Sequence, residues 1–301
     1  MEILTPTHLA LYENEPIEKI EGSNFDMSFK VLPKEKRKAI TSIYNLLSYL
    51  DNIVDKPEPA ETEAKQKKLD RLSRWEETIC NIYDEDKHIS PLLAPLRYVI
   101  RRFDLPFQYF STLINGFRLD LTQNRYETFD DLKNYLFEVA SIVGLITIEI
   151  FGYKYETTKQ YAINLGYGLQ LTNILRDIKS DKNRGYIYIP QEDLERFDYS
   201  EENLINEVYN DNFIELMRFE TQRAREYYFK ARSYLRPEER KTLLAAGIMD
   251  EIYYRLLEKI ELKEYNVYQK KIKVNNLHKL SIALKHLINV KFFINRIKKL
   301  P

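Results

Sequence analysis

The sequence predicts an all-α protein, on three observations. Leu, Ile, Glu and Lys are abundant and there are only eight glycines in 301 residues, a composition that favours helix over sheet. No stretch alternates apolar and polar residues over a useful strand length, and no solenoid period is present. Prolines and short polar clusters divide the chain into segments whose apolar residues recur at helical spacing. At 44% hydrophobic the chain can bury a large core, and its length alone would allow about two domains. The economical expectation is one helical domain over 1–301, with a core from 22 to 275 and a basic amphipathic helix from 276 to 301.

The elements follow in order. Residues 1–22 are polar and mixed and suggest no chemistry. Pro33 suits a helix start, and Lys34 to Asp55 follow without another breaker. The charged segment from Lys56 to Lys65, with Pro57 and Pro59, reads as a loop and the best candidate for disorder. Helices are expected from about Lys68 to Tyr83, Leu92 to Arg102 and Pro106 to Thr122, with breaks at Pro91, Pro95 and Pro106. Thr128 opens a helix running to Gly152, whose small residues permit close packing, and another runs from about Thr158 to Asp181. Lys182 to Pro190 reads as a loop placed to cover whatever binds at the end of that helix. Glu201 to Tyr209, Asp211 to Leu235, Pro237 to Lys263 and Asn276 to Lys299 complete the helices.

Composition excludes several classes. Lys and Arg total 46 against 46 Asp and Glu, so net charge gives no case for binding nucleic acid. The balance is uneven, however. No acidic residue follows Glu264, while the tail holds nine basic ones, leaving 37 basic and 46 acidic side chains before it. Cys80 is the only cysteine, which rules out an internal disulfide and a CxxC metal site and fits a cytoplasmic location. The N-terminus lacks the pattern of a secretory signal. The longest apolar run, Val139 to Ile148, is half of the roughly 20 residues that span a bilayer, so a buried helix is expected. The four histidines are scattered and form no ligand spacing, and Gly166 and Gly168 sit inside a helix, where close packing explains them better than a dinucleotide fingerprint.

Chemistry concentrates between Gln170 and Asp181. On a helix, Gln170, Asn173, Asp177 and Asp181 fall at i, i+3, i+7 and i+11, so their oxygens line one face. Carboxylate and amide oxygens suit a hard ion such as magnesium. Tyr44, Leu47, Asp51 and Asp55 repeat that spacing near the N-terminus. If the two faces oppose each other across a cavity, four carboxylates could hold a cluster of divalent ions. Both pairs lie among apolar neighbours, where an unpaired buried carboxylate is expensive and a cation would relieve it.

These residues resemble the squalene/phytoene synthases, the head-to-head prenyl synthases. The resemblance spans about Ser23 to Lys279: Ser23-Asn-Phe25, Leu32-Pro33, Ala39-Ile40, Asp51-Asn-Ile-Val-Asp55, Gly116-Phe-Arg-Leu-Asp120, Tyr135, Val139-Ala140, Gly144, Leu169 to Asp181, Arg184-Gly185, Tyr188-Ile-Pro190, Ile252 to Leu257, and Tyr265-Asn-Val267. It implies an isoprenoid-synthase-type bundle around a central cavity. It further implies that Asp51, Asp55, Asn173, Asp177 and Asp181 bind magnesium, with manganese as the alternative ion. The catalytic set that the resemblance implies is Asp51, Asp55, Asp177, Asp181, Tyr188 and Tyr253. Phe25, Tyr44, Tyr135, Gln170, Arg176 and Lys271 would contact substrate. No NAD(P)H fingerprint is visible, and since this family need not carry one, NADPH use stays open.

The implied reaction joins two prenyl diphosphates head to head and releases diphosphate, with farnesyl diphosphate giving presqualene diphosphate, squalene or dehydrosqualene. Geranylgeranyl diphosphate giving phytoene is the close alternative. A third alternative is a weakened member acting in binding or assembly, because Ser48 stands where the family usually has an arginine, Asn52 where it has a second aspartate, and Tyr186 where its flap has a second arginine. The apolar stripe and positive charge of the C-terminal helix suit either a packed last helix or docking on an anionic membrane surface, at the inner face of the cell membrane.

Overall fold

The computed structural model describes residues 28–55 and 61–297, and every regular element among them is helical. Phe25 therefore lies outside the described residues, as do residues 56–60. The chain divides into two compact units, one ending at Leu121 and the other beginning at Thr122.

In the first unit, α1 (Lys34–Asp55) buries Ile40, Ile43, Leu46, Leu50 and Ile53 along one face. It packs on α2 (Glu61–Tyr83) and α3 (Ala94–Arg102). The Tyr49 ring lies 5.0 Å from that of Trp75, and buried Lys68 donates to the Val54 carbonyl at 2.6 Å, satisfying one of the last acceptors of α1. Glu76 accepts from Ser111 and Arg118, both at 2.6 Å, and so ties α4 (Phe107–Thr122) to α2. The helix around Lys68 starts earlier than expected. Residues 61–66 belong to α2, because no breaker follows Pro59 and Glu, Ala, Lys and Gln are good helix formers.

The second unit is built around α7 (Thr157–Asn183). Alongside it runs a continuous helical stretch, α5 (Phe129–Leu136), a π-turn (Phe137–Ser141) and α6 (Ile142–Phe151). A capping box starts it, with Thr128 accepting from the Asp131 amide and Asp131 returning a bond to the Thr128 amide. This stretch is apolar enough to pass as a membrane span, yet more than half of its apolar window is buried in the protein, as the sequence led us to expect.

Three glycines set how near its neighbours come to α7. A Cβ on Gly166 would stand 2.7 Å from the Ser141 Cα, and one on Gly144 would stand 2.8 Å from the Ala162 carbonyl oxygen. On its other side, α7 meets α10 (Asp211–Tyr234), where the Tyr228 ring lies over Gly168 and its hydroxyl pairs with Thr172 at 2.8 Å. Next, α11 (Leu244–Leu262) joins α10 through Asp250, which accepts from Arg232 at 2.6 and 2.9 Å. α12 (Asn276–Ile297) packs on α11 through Ile282, Ala283 and the Lys285 and His286 bonds to Glu251.

Two short helices were not resolved correctly by sequence. α8 (Gln191–Arg196) falls where no helix was expected, and α9 (Glu201–Ile205) stops short of Tyr209. Glu207 has a positive φ of 55°, which ends the helical path. The expected Pro237–Lys263 helix is a 3₁₀ turn at Pro237–Glu239 followed by α11 from Leu244.

The backbone contact at Gly166 cannot yield as a side chain would. Gly166→Ala is therefore expected to destabilise the protein by about 1–3 kcal/mol, lowering the melting temperature by several degrees. An unchanged melting curve would show that the π-turn and α7 can part at little expense.

Candidate active site

The carboxyl-terminal half of α7 delivers the predicted oxygen face. Asn173 Nδ2 donates to Gln170 Oε1 at 3.3 Å, which holds the two amides together one turn before Asp177. Asp177 is gripped by two cations. Arg176 donates to both of its oxygens, through Nε at 3.0 Å and through Nη2, and Lys271 Nζ sits 2.9 Å from Oδ1. Lys271 comes from the segment between α11 and α12, so residues nearly a hundred positions apart meet on one carboxylate. Tyr253, buried on α11, lies close enough to Arg176 to interact with its charge.

Asp177 and Asp181 respond to this setting in opposite ways. Burial alone would raise the Asp177 pKa, but the bonds from Arg176 and Lys271 outweigh it and hold the carboxyl below its usual range. Asp181 is only 7% exposed, and burial, reinforced by the nearby Asp177 charge, pushes its pKa up to about 6 despite a 3.1 Å contact with Arg184. One turn of helix thus holds a compensated carboxylate and an under-compensated one.

Beyond α7, residues 184–190 fold back over the site. The Tyr186 amide donates to the Asp181 carbonyl at 2.9 Å, the Ile187 amide to the Asn124 carbonyl at 3.1 Å, and the Gln191 amide to the Tyr126 carbonyl at 2.8 Å. The segment lines a small pocket with Ile174, Ile178, Asp181 and Leu204. Its tyrosines form a stack. The Tyr188 ring lies 5.9 Å from Tyr186, 5.6 Å from Tyr135 and 6.0 Å from Tyr126, with interplanar angles of 10°, 20° and 22°. The Arg184 guanidinium caps it, 5.9 Å from the Tyr186 ring.

The structure therefore brings together Gln170, Asn173, Arg176, Asp177, Asp181 and Lys271, with Tyr135 and Tyr188 in the adjoining stack. Tyr44, Asp51 and Asp55 lie on α1 in the first unit, where Tyr44 makes an edge contact with Phe29 at 5.1 Å. Burial was expected of all four motif aspartates. It holds at Asp181 but not at Asp51 and Asp55, which are exposed because they fall opposite the face carrying Ile43, Leu46, Leu50 and Ile53. Tyr126 and Tyr186 were not assigned to the site from sequence. Tyr186 could have been found, since it stands where a tyrosine two positions later was already placed at the site.

The donor set fits a hard divalent cation. Asn173, Asp177 and Asp181 present oxygens on one helix face, and Asp181 is a buried carboxylate whose charge its protein neighbours leave partly unanswered. Among the described residues no group of three or more His, Cys, Asp or Glu side chains gathers as a metal cage by itself, so substrate oxygens and water would complete the coordination of such an ion.

The chain resembles known proteins over most of its length. The family model for squalene/phytoene synthases matches residues 19–278. A phytoene synthase from Arthrospira platensis is 35% identical over 275 residues, covering 86% of each chain. A 15-cis-phytoene synthase from Synechococcus elongatus is 34% identical over 279 residues, again covering 86% of each. Among solved structures, a dehydrosqualene synthase in complex with ligand superposes with a TM-score of 0.76 at 23% identity, covering 95% of this chain and 97% of that one. The squalene synthase HpnC from Alicyclobacillus acidocaldarius gives a TM-score of 0.72 at 23% identity, with coverage of 81% and 89%. At such identity these two likenesses speak for the fold.

The raised Asp181 pKa has a measurable consequence. An aspartate that titrates near 3.9 unfolded and near 6 folded loses stability as pH rises between those values, at about 1.4 kcal/mol per pH unit. In magnesium-free buffer the stability of Asp181→Asn relative to the parent should accordingly rise by about 2 kcal/mol from pH 4 to pH 7, read by urea denaturation. A difference that does not vary with pH would contradict the assignment.

Proposed function

This chain belongs to the squalene/phytoene synthase family, and on that basis we propose that it is a magnesium-dependent prenyltransferase joining two molecules of geranylgeranyl diphosphate head to head to form phytoene. Head-to-head condensation of prenyl diphosphates is the chemistry of the family. The C20 substrate is favoured by the phytoene synthases that align over 86% of the chain at 34–35% identity. Farnesyl diphosphate, giving presqualene diphosphate, squalene or dehydrosqualene, is the second reading and the one first preferred from sequence. The dehydrosqualene and squalene synthases of like fold keep it in view.

The observation that supports this most is the one-turn pairing of Asp177 and Asp181 with two cations beside them. A bound magnesium ion would stabilise the negative charge that builds on a departing diphosphate. Asn173, Asp177 and Asp181 would hold it, and Asp51 and Asp55 on α1 would be further ligands. Arg176 and Lys271 would orient the diphosphate, since both are charged donors suited to phosphate oxygens. Gln170 and Tyr44 would contact the same group. Tyr135 and Tyr188 present aromatic faces, and a ring beside an allylic cation contributes roughly 0.5–2 kcal/mol. Tyr253 would stand near the reacting ends. NADPH is not required to form phytoene, which leaves the oxidation state of the two prenyl units together unchanged.

A hydrocarbon product must leave into lipid, and we assign its exit to contact between α12 and the cytoplasmic face of an anionic membrane. Leu277, Leu280, Leu284 and Ile288 are 80, 43, 50 and 51% exposed on the face of α12 turned away from α11. Nine basic residues and no acidic one follow Glu264, a complement to anionic headgroups.

Two outcomes are expected. Asp177→Asn should lower magnesium-dependent diphosphate release on the order of 100-fold with the circular dichroism spectrum unchanged, whereas retained turnover would remove Asp177 from the machinery. In vesicle flotation, the protein should rise with phosphatidylglycerol vesicles and not with phosphatidylcholine, and Leu280→Asp with Leu284→Asp should leave it in the pellet. Flotation unaffected by the double substitution, or a loss explained by a dimer falling apart, would contradict the membrane assignment.

A further inference from the structure

We infer that Arg125 is a positioning residue for residues 184–190, acting through the Gly185 carbonyl. Among the described residues, Arg125 makes no hydrogen bond or ion pair with those assigned to substrate or metal. Its guanidinium grips Glu201 through Nε at 2.9 Å and Nη2 at 2.6 Å, a two-point contact that fixes the plane of the group. The remaining edge is thereby aimed. Nη1 donates to the Gly185 carbonyl at 2.7 Å and to the Asn124 carbonyl at 2.7 Å, while Asn124 Nδ2 adds a 3.3 Å bond to the same Gly185 oxygen.

Gly185 is suited to receive this contact. Its φ is +88°, a conformation that L residues rarely adopt, and nothing lies within 4 Å of where a Cβ would be. Glycine is needed there for backbone direction and not for space. That direction delivers the carbonyl to Arg125 and leaves the flanking side chains on the site, with Arg184 on Asp181 and Tyr186 in the tyrosine stack. The same strap continues one residue on, where the Tyr126 ring stacks on Tyr188 and its carbonyl accepts from Gln191. Lysine could keep the charge at position 125 but could not serve Glu201 and the two carbonyls in one plane.

The kinetic part of this inference rests on the prenyl synthase reading, and the test separates the two. Hydrogen exchange of residues 184–190 and turnover of geranylgeranyl diphosphate would be measured for the parent, Arg125→Lys, and the exchanged pair Arg125→Glu with Glu201→Arg. The exchanged pair can rebuild the ion pair, and hence the melting temperature, but its glutamate cannot donate to Gly185. Exchange of the segment should therefore quicken about tenfold in both variants, with kcat falling by about the same factor and KM little changed. Parent-like exchange in Arg125→Lys, or recovery of exchange and kcat together in the exchanged pair, would overturn the inference. A parent with no turnover would overturn the prenyl synthase reading alone, leaving exchange to decide the role of Arg125.

Discussion

Two carboxylates one helical turn apart, set in an apolar helix and answered unequally, are the constraint on which the second unit depends. Asp177 is met by Arg176 from its own helix and by Lys271 from beyond α11. Asp181 is met at 3.1 Å by Arg184, on a segment just past the helix end, and more weakly by the Lys271 charge. Burial is the main reason the Asp181 pKa rises to about 6, and repulsion from Asp177 adds to it. A divalent cation bound as proposed would resolve that repulsion.

Keeping such a face in place requires rigid support behind it. The glycines of α7 and α6 let backbones approach to distances that a methyl group would forbid, so the helix has little freedom to rotate. On the opposite side the Tyr228 hydroxyl meets Thr172, one residue from Asn173, and Arg232 and Asp250 brace the helices behind. The segment after α7 has no regular structure of its own, and its order comes from backbone bonds to residues 124–127 and from stacked tyrosines. Rigid helices below and a strapped segment above suit a reaction that must exclude water from a reactive cation.

Much of this was legible in the sequence, and the reasons are physical. Helical periodicity located α1, α4, α7 and α10 to within a few residues, because long amphipathic segments repeat their signal many times. It failed at α8 and α9, which are too short to repeat it, and at residues 61–65, where charge was taken for disorder although the residues are good helix formers. The Asp177 and Asp181 face followed from spacing. Family resemblance put Lys271 at the substrate, but its meeting with Asp177 was not foreseen, since nothing local connects them. Burial was the weakest inference: Asp51 and Asp55 share the spacing of Asp177 and Asp181 and also lie among leucines, yet they point away from the apolar face of α1. Arg125 and Glu201 left no sequence signal, because their ion pair joins residues 76 positions apart and Arg125 reaches the site only through the Gly185 backbone carbonyl.

The account is tested most directly by the stoichiometry of the reaction. Purified protein supplied with geranylgeranyl diphosphate and magnesium should release two molecules of diphosphate for each C40 hydrocarbon extracted, and chelation should stop both. Absence of diphosphate release from either the C20 or the C15 substrate in the presence of magnesium would contradict it.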